Sequence, residues 1–139
     1  MRQIDRIIIH CSATNFSSDA TIDDIRRWHI EENGWSDIGY HYVIERNAAL
    51  MKGRPIERAG AHAKGYNATS IGICLMGGLD DNGHPDFNYT YQQMACLYCL
   101  VADLRRTYDI NEVIGHRDVS GKECPCFDVS AYFNLEAQQ

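Results

Sequence analysis

An unbroken run of isoleucines that leads into a histidine constrains the fold of this chain more than any other feature. Isoleucines occupy positions 7–9 and are followed by His10, and we predict a strand over residues 4–10. A short apolar run without alternation is typical of a strand that is covered on both faces. A second short strand is predicted at 112–115, and it runs into His116. If these strands are neighbours in one sheet, both imidazoles lie at the same edge.

The remaining pattern predicts a mixed α/β protein, with a central mixed β-sheet flanked by helices. One helix is predicted to begin after Thr21 and to end at Gly34, and a longer one to begin at Thr90, where Gln93 completes a capping box. A length of 139 residues is that of one ordinary domain, so we predict a single domain over 1–139. Further strands are predicted at 41–46, 50–52 and 70–76, a short last helix at 130–135, and polar turns or loops at 12–20 and 80–88.

The charge balance argues against two classes of partner. Thirteen basic and nineteen acidic residues give a net charge of −6. Such a chain lacks the basic surface that nonspecific nucleic-acid binding requires, and an anionic membrane repels it. Its first apolar run is too short for a secretory signal or a membrane span. We expect a monomer that stays in the cytosol until it is released to the cell wall, with no nucleic-acid partner and no membrane partner.

Six cysteines are present, and without a secretory signal they favour free thiols over a disulfide framework. Cys74 lies in a predicted buried strand and Cys11 directly follows one, and both are interpreted as core residues. Cys96 and Cys99 form a CxxC pair in the middle of a predicted helix, where two buried thiols are a simpler interpretation than a redox pair. The other two cysteines belong to the polar segment GHRDVSGKECPCFDV, which begins at the last predicted strand.

This segment, residues 115–129, carries the elements of a metal site. Cys124 follows His116 by eight residues, and a turn at 120–121 allows its thiol to fold back over the sheet edge. With the histidine that ends the first strand, the set would comprise two imidazoles and one thiolate. Three protein ligands with a fourth position left open are typical of a catalytic zinc site. Hydrogen-bonded surface histidines and incidental thiols are the competing interpretation, and spacing alone does not choose between the two cysteines of CPC.

Four blocks of the sequence resemble those of the zinc-dependent N-acetylmuramoyl-L-alanine amidases, a family that shares its fold with the peptidoglycan recognition proteins. The blocks are IIIHCSAT (7–14), RRWHIEENGWSDIGYHYVI (26–44), AGAHAKGYNATSIGICLMGG (59–78) and GHRDVSGKECPCFD (115–128). They occur in the family's order and span nearly the whole chain. The chain is most similar in form to the small bacteriophage lysozyme-type amidases, and a prophage origin fits that form.

The resemblance implies one catalytic zinc ion held by His10, His116 and Cys124. It also implies that Tyr40 and Lys122 are catalytic residues. Zinc lowers the pKa of a bound water and polarises the scissile carbonyl. A tyrosine hydroxyl and a lysine ammonium group stabilise the negative charge that develops on the carbonyl oxygen.

The block AGAHAKGYN is similar to a wall of the family's substrate groove, and His62, Lys64 and Asn67 are the predicted substrate contacts. The implied activity is hydrolysis of the amide between N-acetylmuramic acid and L-alanine, in peptidoglycan or a soluble muropeptide, as in an endolysin. Two alternatives stay open. One is a module that binds peptidoglycan without cleaving it, and the other is an amidase that also binds and inhibits a phage RNA polymerase.

Overall fold

A five-stranded mixed sheet forms the centre of the fold. The computed structural model describes residues 2–15 and 17–137, and it describes the last four of these by their backbone alone. The strands of this sheet and those of a smaller sheet follow in chain order as β1 (Arg6–Cys11), β2 (Thr14–Asn15), β3 (Tyr42–Ile44), β4 (Leu50–Lys52), β5 (Ser70–Leu75), β6 (Gly78–Leu79) and β7 (Glu112–Gly115). The large sheet has the order β4-β3-β5-β1-β7, with β4 antiparallel to β3 and the other pairs parallel, while β2 pairs with β6. The predicted mixed α/β fold is confirmed.

Helices flank the sheet, and the longest begins at its predicted cap. The Thr90 hydroxyl accepts from the N–H of Gln93, and the Gln93 side chain accepts from the N–H of Thr90, at 3.0 and 2.9 Å. This capping box pairs two backbone donors at the start of the helix. The helices are α1 (Ile22–Arg27), which continues as a π-helical turn (Trp28–Glu32), α2 (Tyr91–Thr107) and α3 (Val129–Ala137). Within the described residues, none of these helices has the length and apolarity that crossing a membrane requires.

Both faces of the central strands are covered, as the unbroken apolar run predicts. On one face, Ile7 of β1 belongs to a cluster with Leu97 of α2. On the other face, Cys74 of β5 belongs to a cluster with Ile22 of α1. Burying each large aliphatic side chain of this kind contributes roughly 1.5–3 kcal/mol. Polar side chains on these strands are therefore confined to the strand ends.

Two local predictions need correction. The segment 12–20 is not only a polar turn, because it contains β2, which pairs in parallel with β6. This pairing depends on Gly78, where a Cβ atom would lie 2.7 Å from the Sγ of Cys11, and a close approach of this kind leaves no periodic pattern in the sequence. The CxxC pair is not buried as a unit, since Cys96 is half-buried and Cys99 is exposed. Both thiols lie to one side of the buried stripe of α2, with Cys96 at its edge.

His41 extends the pairing of β3 and β5 with its side chain. Its backbone N–H donates to the carbonyl of Gly72 at 2.9 Å, and its Nδ1 accepts from the N–H of Gly72 at 3.0 Å. The ring proton therefore resides on Nε2, which lies 2.8 Å from the carbonyl oxygen of Arg58. Burial, together with the guanidinium groups of Arg2 and Arg54, lowers the pKa of His41 to about 4.

We expect His41 to make the protein less stable as the pH falls from about 6.5 to 4. The unfolded chain takes up a proton on this ring near pH 6.5, whereas the folded ring does so only near a pKa of about 4. The unfolded state thus binds more protons between these values and is favoured as the pH falls. Between pH 7 and 5 the expected loss of unfolding free energy is about 1–2 kcal/mol. Urea unfolding of the wild type and of His41→Asn measures it, and an equal pH dependence in both would contradict the assignment.

Candidate metal centre

The ends of two neighbouring strands bring the predicted histidines together. β1 and β7 pair in parallel with Ile9 opposite Gly115, so the residues that follow, His10 and His116, lie at the same edge of the sheet. Their ring centroids are 4.5 Å apart. His10 is buried, with 1% of its surface exposed, whereas His116 is half-buried. The sheet therefore presents two adjacent imidazoles, one of them in contact with solvent.

A short loop returns the chain from His116 to this edge. The hydroxyl of Ser120 donates to the carbonyl of His116 at 3.0 Å and accepts from the N–H of Lys122 at 3.2 Å. The loop ends with the thiol of Cys124 against β1, where the N–H of Cys11 donates to the Cys124 Sγ at 2.9 Å. The turn at Ser120 therefore positions the Cys124 thiol beside the two imidazoles.

The side chains of His10, His116 and Cys124 form one cluster of donor atoms that can hold a metal ion. One ligand atom from each lies within 4.8 Å of the others, which is close enough for a single ion to contact all three. Burial lowers the pKa of His10 well below its ordinary value, which keeps its imidazole in the neutral, metal-binding form. Hydrogen bonding with the Cys11 thiol and burial raise the pKa of Cys124. A bound cation would therefore supply the stabilisation that its thiolate needs.

Cys126 is held away from this cluster. Its Sγ donates to the carbonyl of Gly78 at 3.3 Å, and its side chain packs against the main core cluster. The described cysteines, Cys124 and Cys126 included, are all free thiols. The tertiary structure thus distinguishes two cysteines that spacing alone leaves equivalent.

A cavity of about 310 Å³ opens onto the cluster of His10, His116 and Cys124, and Tyr40 and Lys122 both line it. The centroid of the Tyr40 ring is 5.1 Å from that of His10. Burial raises the pKa of the Tyr40 phenol well above its ordinary value, so its hydroxyl stays protonated and is able to donate a hydrogen bond. Lys122 is exposed on the returning loop. The cavity thus contains a neutral donor and a cation beside the three side chains that could hold a metal ion.

Of the three predicted substrate contacts, the structure brings His62 to the cavity. Its half-buried ring lies on the wall, with Nδ1 at 2.8 Å from the Nε2 of His10. Burial lowers the pKa of His62 to about 3, so the ring is neutral. Asn67 instead holds the loop, because its Oδ1 accepts from the backbone N–H groups of His62 and Ala63, both at 2.9 Å. Lys64 is exposed and does not line the cavity.

His29 and Trp35 also line the cavity, although the sequence pattern did not mark either as a site residue. The Nδ1 of His29 accepts from the N–H of Gly39 at 2.9 Å. The ring of His29 packs against those of Trp35 and Tyr40, at centroid distances of 4.7 and 5.4 Å. His29 lies in the π-helical turn that continues α1, and a search for regular helical periodicity does not reveal such a turn. The one sequence signal for this wall of the cavity is Trp35, which directly follows Gly34, the predicted end of the helix.

The chain matches known proteins over most of its length. The family model described as N-acetylmuramoyl-L-alanine amidase matches residues 1–127. The endolysin of Enterobacteria phage K11 is 42% identical over 131 residues, which cover 94% of this chain and 86% of that protein. The structure of the N-acetylmuramoyl-L-alanine amidase LysC from Clostridium intestinale is similar with a TM-score of 0.80 at 31% identity, covering 99% of this chain and 85% of the other. A mutant of Drosophila PGRP-LB in complex with tracheal cytotoxin has a TM-score of 0.76 at 29% identity, covering 96% and 82%.

The fold is that of the class that contains the amidases and the peptidoglycan recognition proteins. Within that class, the chain belongs to the N-acetylmuramoyl-L-alanine amidase family. It is accordingly an enzyme that hydrolyses the amide between N-acetylmuramic acid and L-alanine in peptidoglycan. The resemblance carried by the four sequence blocks, and the activity that it implies, are confirmed.

We expect Cys124→Ser to lose high-affinity zinc binding and Cys126→Ser to retain it. A serine hydroxyl is a poor zinc ligand, so the first variant should bind zinc at least ~100-fold more weakly than the wild type. Competition with a chromophoric chelator measures the affinity, and circular dichroism establishes that both variants fold. If the two variants lost zinc to the same extent, Cys124 would not be the distinguishing ligand.

Proposed function

We propose that this enzyme is a zinc-dependent amidase in which His10, His116 and Cys124 hold one zinc ion. The observation that carries the proposal is the convergence of these three donors at the sheet edge, beside a cavity. Three protein ligands leave one position for water or substrate, as in catalytic rather than structural zinc sites. When bound, zinc would supply Lewis acidity, lowering the pKa of water toward about 7 and polarising a carbonyl group.

Tyr40 and Lys122 would provide the complementary stabilisation of charge. Amide hydrolysis converts a planar carbonyl into a tetrahedral centre whose oxygen carries negative charge. The protonated Tyr40 hydroxyl donates a hydrogen bond to that oxygen or orients the attacking water, and the Lys122 ammonium adds a positive charge in the same cavity. These interactions strengthen as the charge develops, so they stabilise the transition state more than the bound substrate.

The surroundings of the site have room for a substrate larger than the two groups joined by the scissile amide. Ala13 lines both the cavity and an adjoining, more open groove of about 560 Å³. Residues of β2, β6 and α1 form the walls of this groove. Because the phage relative is an endolysin, we infer that this chain likewise acts on intact peptidoglycan at the cell wall.

The experiment that tests this function is mass spectrometry of the products released from purified peptidoglycan, with and without a zinc chelator. We expect free stem peptides that begin with L-alanine. They should disappear when the chelator removes the metal and return when zinc is restored. A parallel digestion of a soluble muropeptide shows whether the polymer is required.

Two results would overturn parts of the proposal. Undiminished release of stem peptides in the chelator would exclude the zinc dependence. Cleavage of the muropeptide with no release from intact peptidoglycan would exclude an endolysin-like role.

Tyr40→Phe and Lys122→Ala should each lower kcat by about 10²–10³-fold while zinc stays bound, since each removes one group that stabilises the oxyanion. Steady-state kinetics on a soluble muropeptide, together with zinc analysis of the purified variants, measures both quantities. Tyr91→Phe is a matched control, because Tyr91 is 85% exposed on α2 and does not line the cavity. A variant that lost zinc and folded structure along with activity would reveal a structural role instead.

A further inference from the structure

His62 lies between a metal-binding side chain and the interior of the protein. It belongs to the loop before β5, and its ring is nearly perpendicular to that of His10, with centroids 4.9 Å apart. The Nδ1 of His62 is 2.8 Å from the Nε2 of His10. The Nε2 of His62 is 3.3 Å from the hydroxyl of Ser70, the first residue of β5. Both ring nitrogens are thus engaged within the protein, which leaves neither for a substrate.

The hydroxyl of Ser70 determines the direction of these hydrogen bonds. It donates its one proton to the carbonyl of Tyr66 at 2.7 Å, so toward His62 it acts as the acceptor. The single proton of the neutral His62 ring therefore resides on Nε2, and Nδ1 carries a lone pair. That lone pair accepts from the Nε2–H of His10. The hydrogen-bond network in this way assigns one tautomer to each ring.

We propose that His62 is a positioning residue that selects the tautomer and orientation of His10, an inference that rests on the proposed zinc site. With its proton held on Nε2, His10 keeps a free lone pair on Nδ1, which is then the nitrogen that binds the ion. Histidine ligands generally donate their other N–H to a fixed acceptor, which orients the ring and raises its basicity. A carboxylate or a carbonyl usually serves as that acceptor, whereas in this chain a second imidazole takes its place.

The fold holds His62 in this position from two sides. A Cβ atom at Gly72 of β5 would lie 2.6 Å from the His62 ring, so a glycine at this point provides the space for the imidazole. The backbone N–H of His62 donates to the Oδ1 of Asn67 at 2.9 Å, which fixes the loop. Ser70 is itself fully buried. The hydrogen-bond chain thus runs from a backbone carbonyl to the metal ligand through fixed groups.

Nitrogen-15 NMR of the imidazole rings in the metal-free protein tests the tautomer directly. We expect His10 to be a single Nε2–H tautomer in the wild type and a mixture of both tautomers in His62→Ala. His62→Asn places an amide oxygen near the position of Nδ1, so this variant should restore the Nε2–H form. An Nδ1–H tautomer of His10 in the wild type would overturn the proposal, whether or not the protein binds zinc.

Zinc affinity, measured by chelator competition, is the second readout. His62→Ala should weaken binding by about 10–100-fold, and His62→Asn by at most about 3-fold. His84→Ala is the matched control, since His84 is exposed in another loop, and it should bind zinc as the wild type does. Unchanged affinity in His62→Ala would contradict the positioning role, as would equal losses in the alanine and asparagine variants. A wild type that bound no zinc would overturn the proposed function, while the NMR result would still decide the tautomer.

Two further measurements separate positioning from other roles. Thermal unfolding in chelator identifies a variant that fails to fold. If His62→Ala fails to fold, Ser70→Ala replaces it as the test, because it removes the hydroxyl that orients His62. This variant should bind zinc about 3–10-fold more weakly than the wild type, and unchanged affinity would count against the proposal. In the Co²⁺-substituted protein, His62→Asn should leave the ligand-field absorption spectrum unchanged. A shifted spectrum would make His62 a direct metal ligand and would overturn the positioning role.

Discussion

The parallel hydrogen bonding of β1 with its two neighbours is the interaction on which the rest of this structure depends. Ile9 lies opposite Ile73 of β5 on one side and Gly115 of β7 on the other. A slip of one residue would turn every side chain of β1 to the opposite face of the sheet. Because both faces are buried, the limits of the isoleucine run between Arg6 and His10 select the register. The register in turn aims His10 at the loop that carries the thiol. The same backbone hydrogen bonds thus determine both the packing of the core and the position of His10 in the site.

The members of the site stand on strand ends and on loops that are fastened by hydrogen bonds. Ser120 closes the loop after His116, and Asn67 closes the loop around His62. A buried polar group without a partner costs about 1–3 kcal/mol. Among the buried side-chain nitrogen and oxygen atoms that the structure describes, Asp5 Oδ1 alone has no partner, and it does not line the cavity. The polar side chains at the sheet edge are therefore tolerated beside the core. Hydrogen bonds within the protein hold them in place before any substrate arrives.

The elements that could be predicted from sequence are those with a strong local signal. The capping box at Thr90 and the apolar stripe that follows it located α2, because helix ends and periodicity are local properties. The pairing of β2 with β6 had no such signal, since it depends on close packing of Gly78 against Cys11. The same limit applies to Asn67. The resemblance of its block to a wall of the family's substrate groove predicts a substrate contact, and the sequence gives no sign that its Oδ1 is engaged by the backbone of its own loop.

The sequence by itself determined the class of fold, the family and the strand-end histidines, because apolar runs, caps and contiguous motif blocks are readable along the chain. Only the tertiary structure decided which side chains meet. It placed Cys124 beside His10 and His116, and Cys126 against the Gly78 carbonyl. It also placed His62 against His10, although 52 positions separate them in the chain. Contacts of this kind depend on strand register and loop closure. Both are determined by many interactions between residues far apart in the chain, and such interactions leave no local pattern in the sequence.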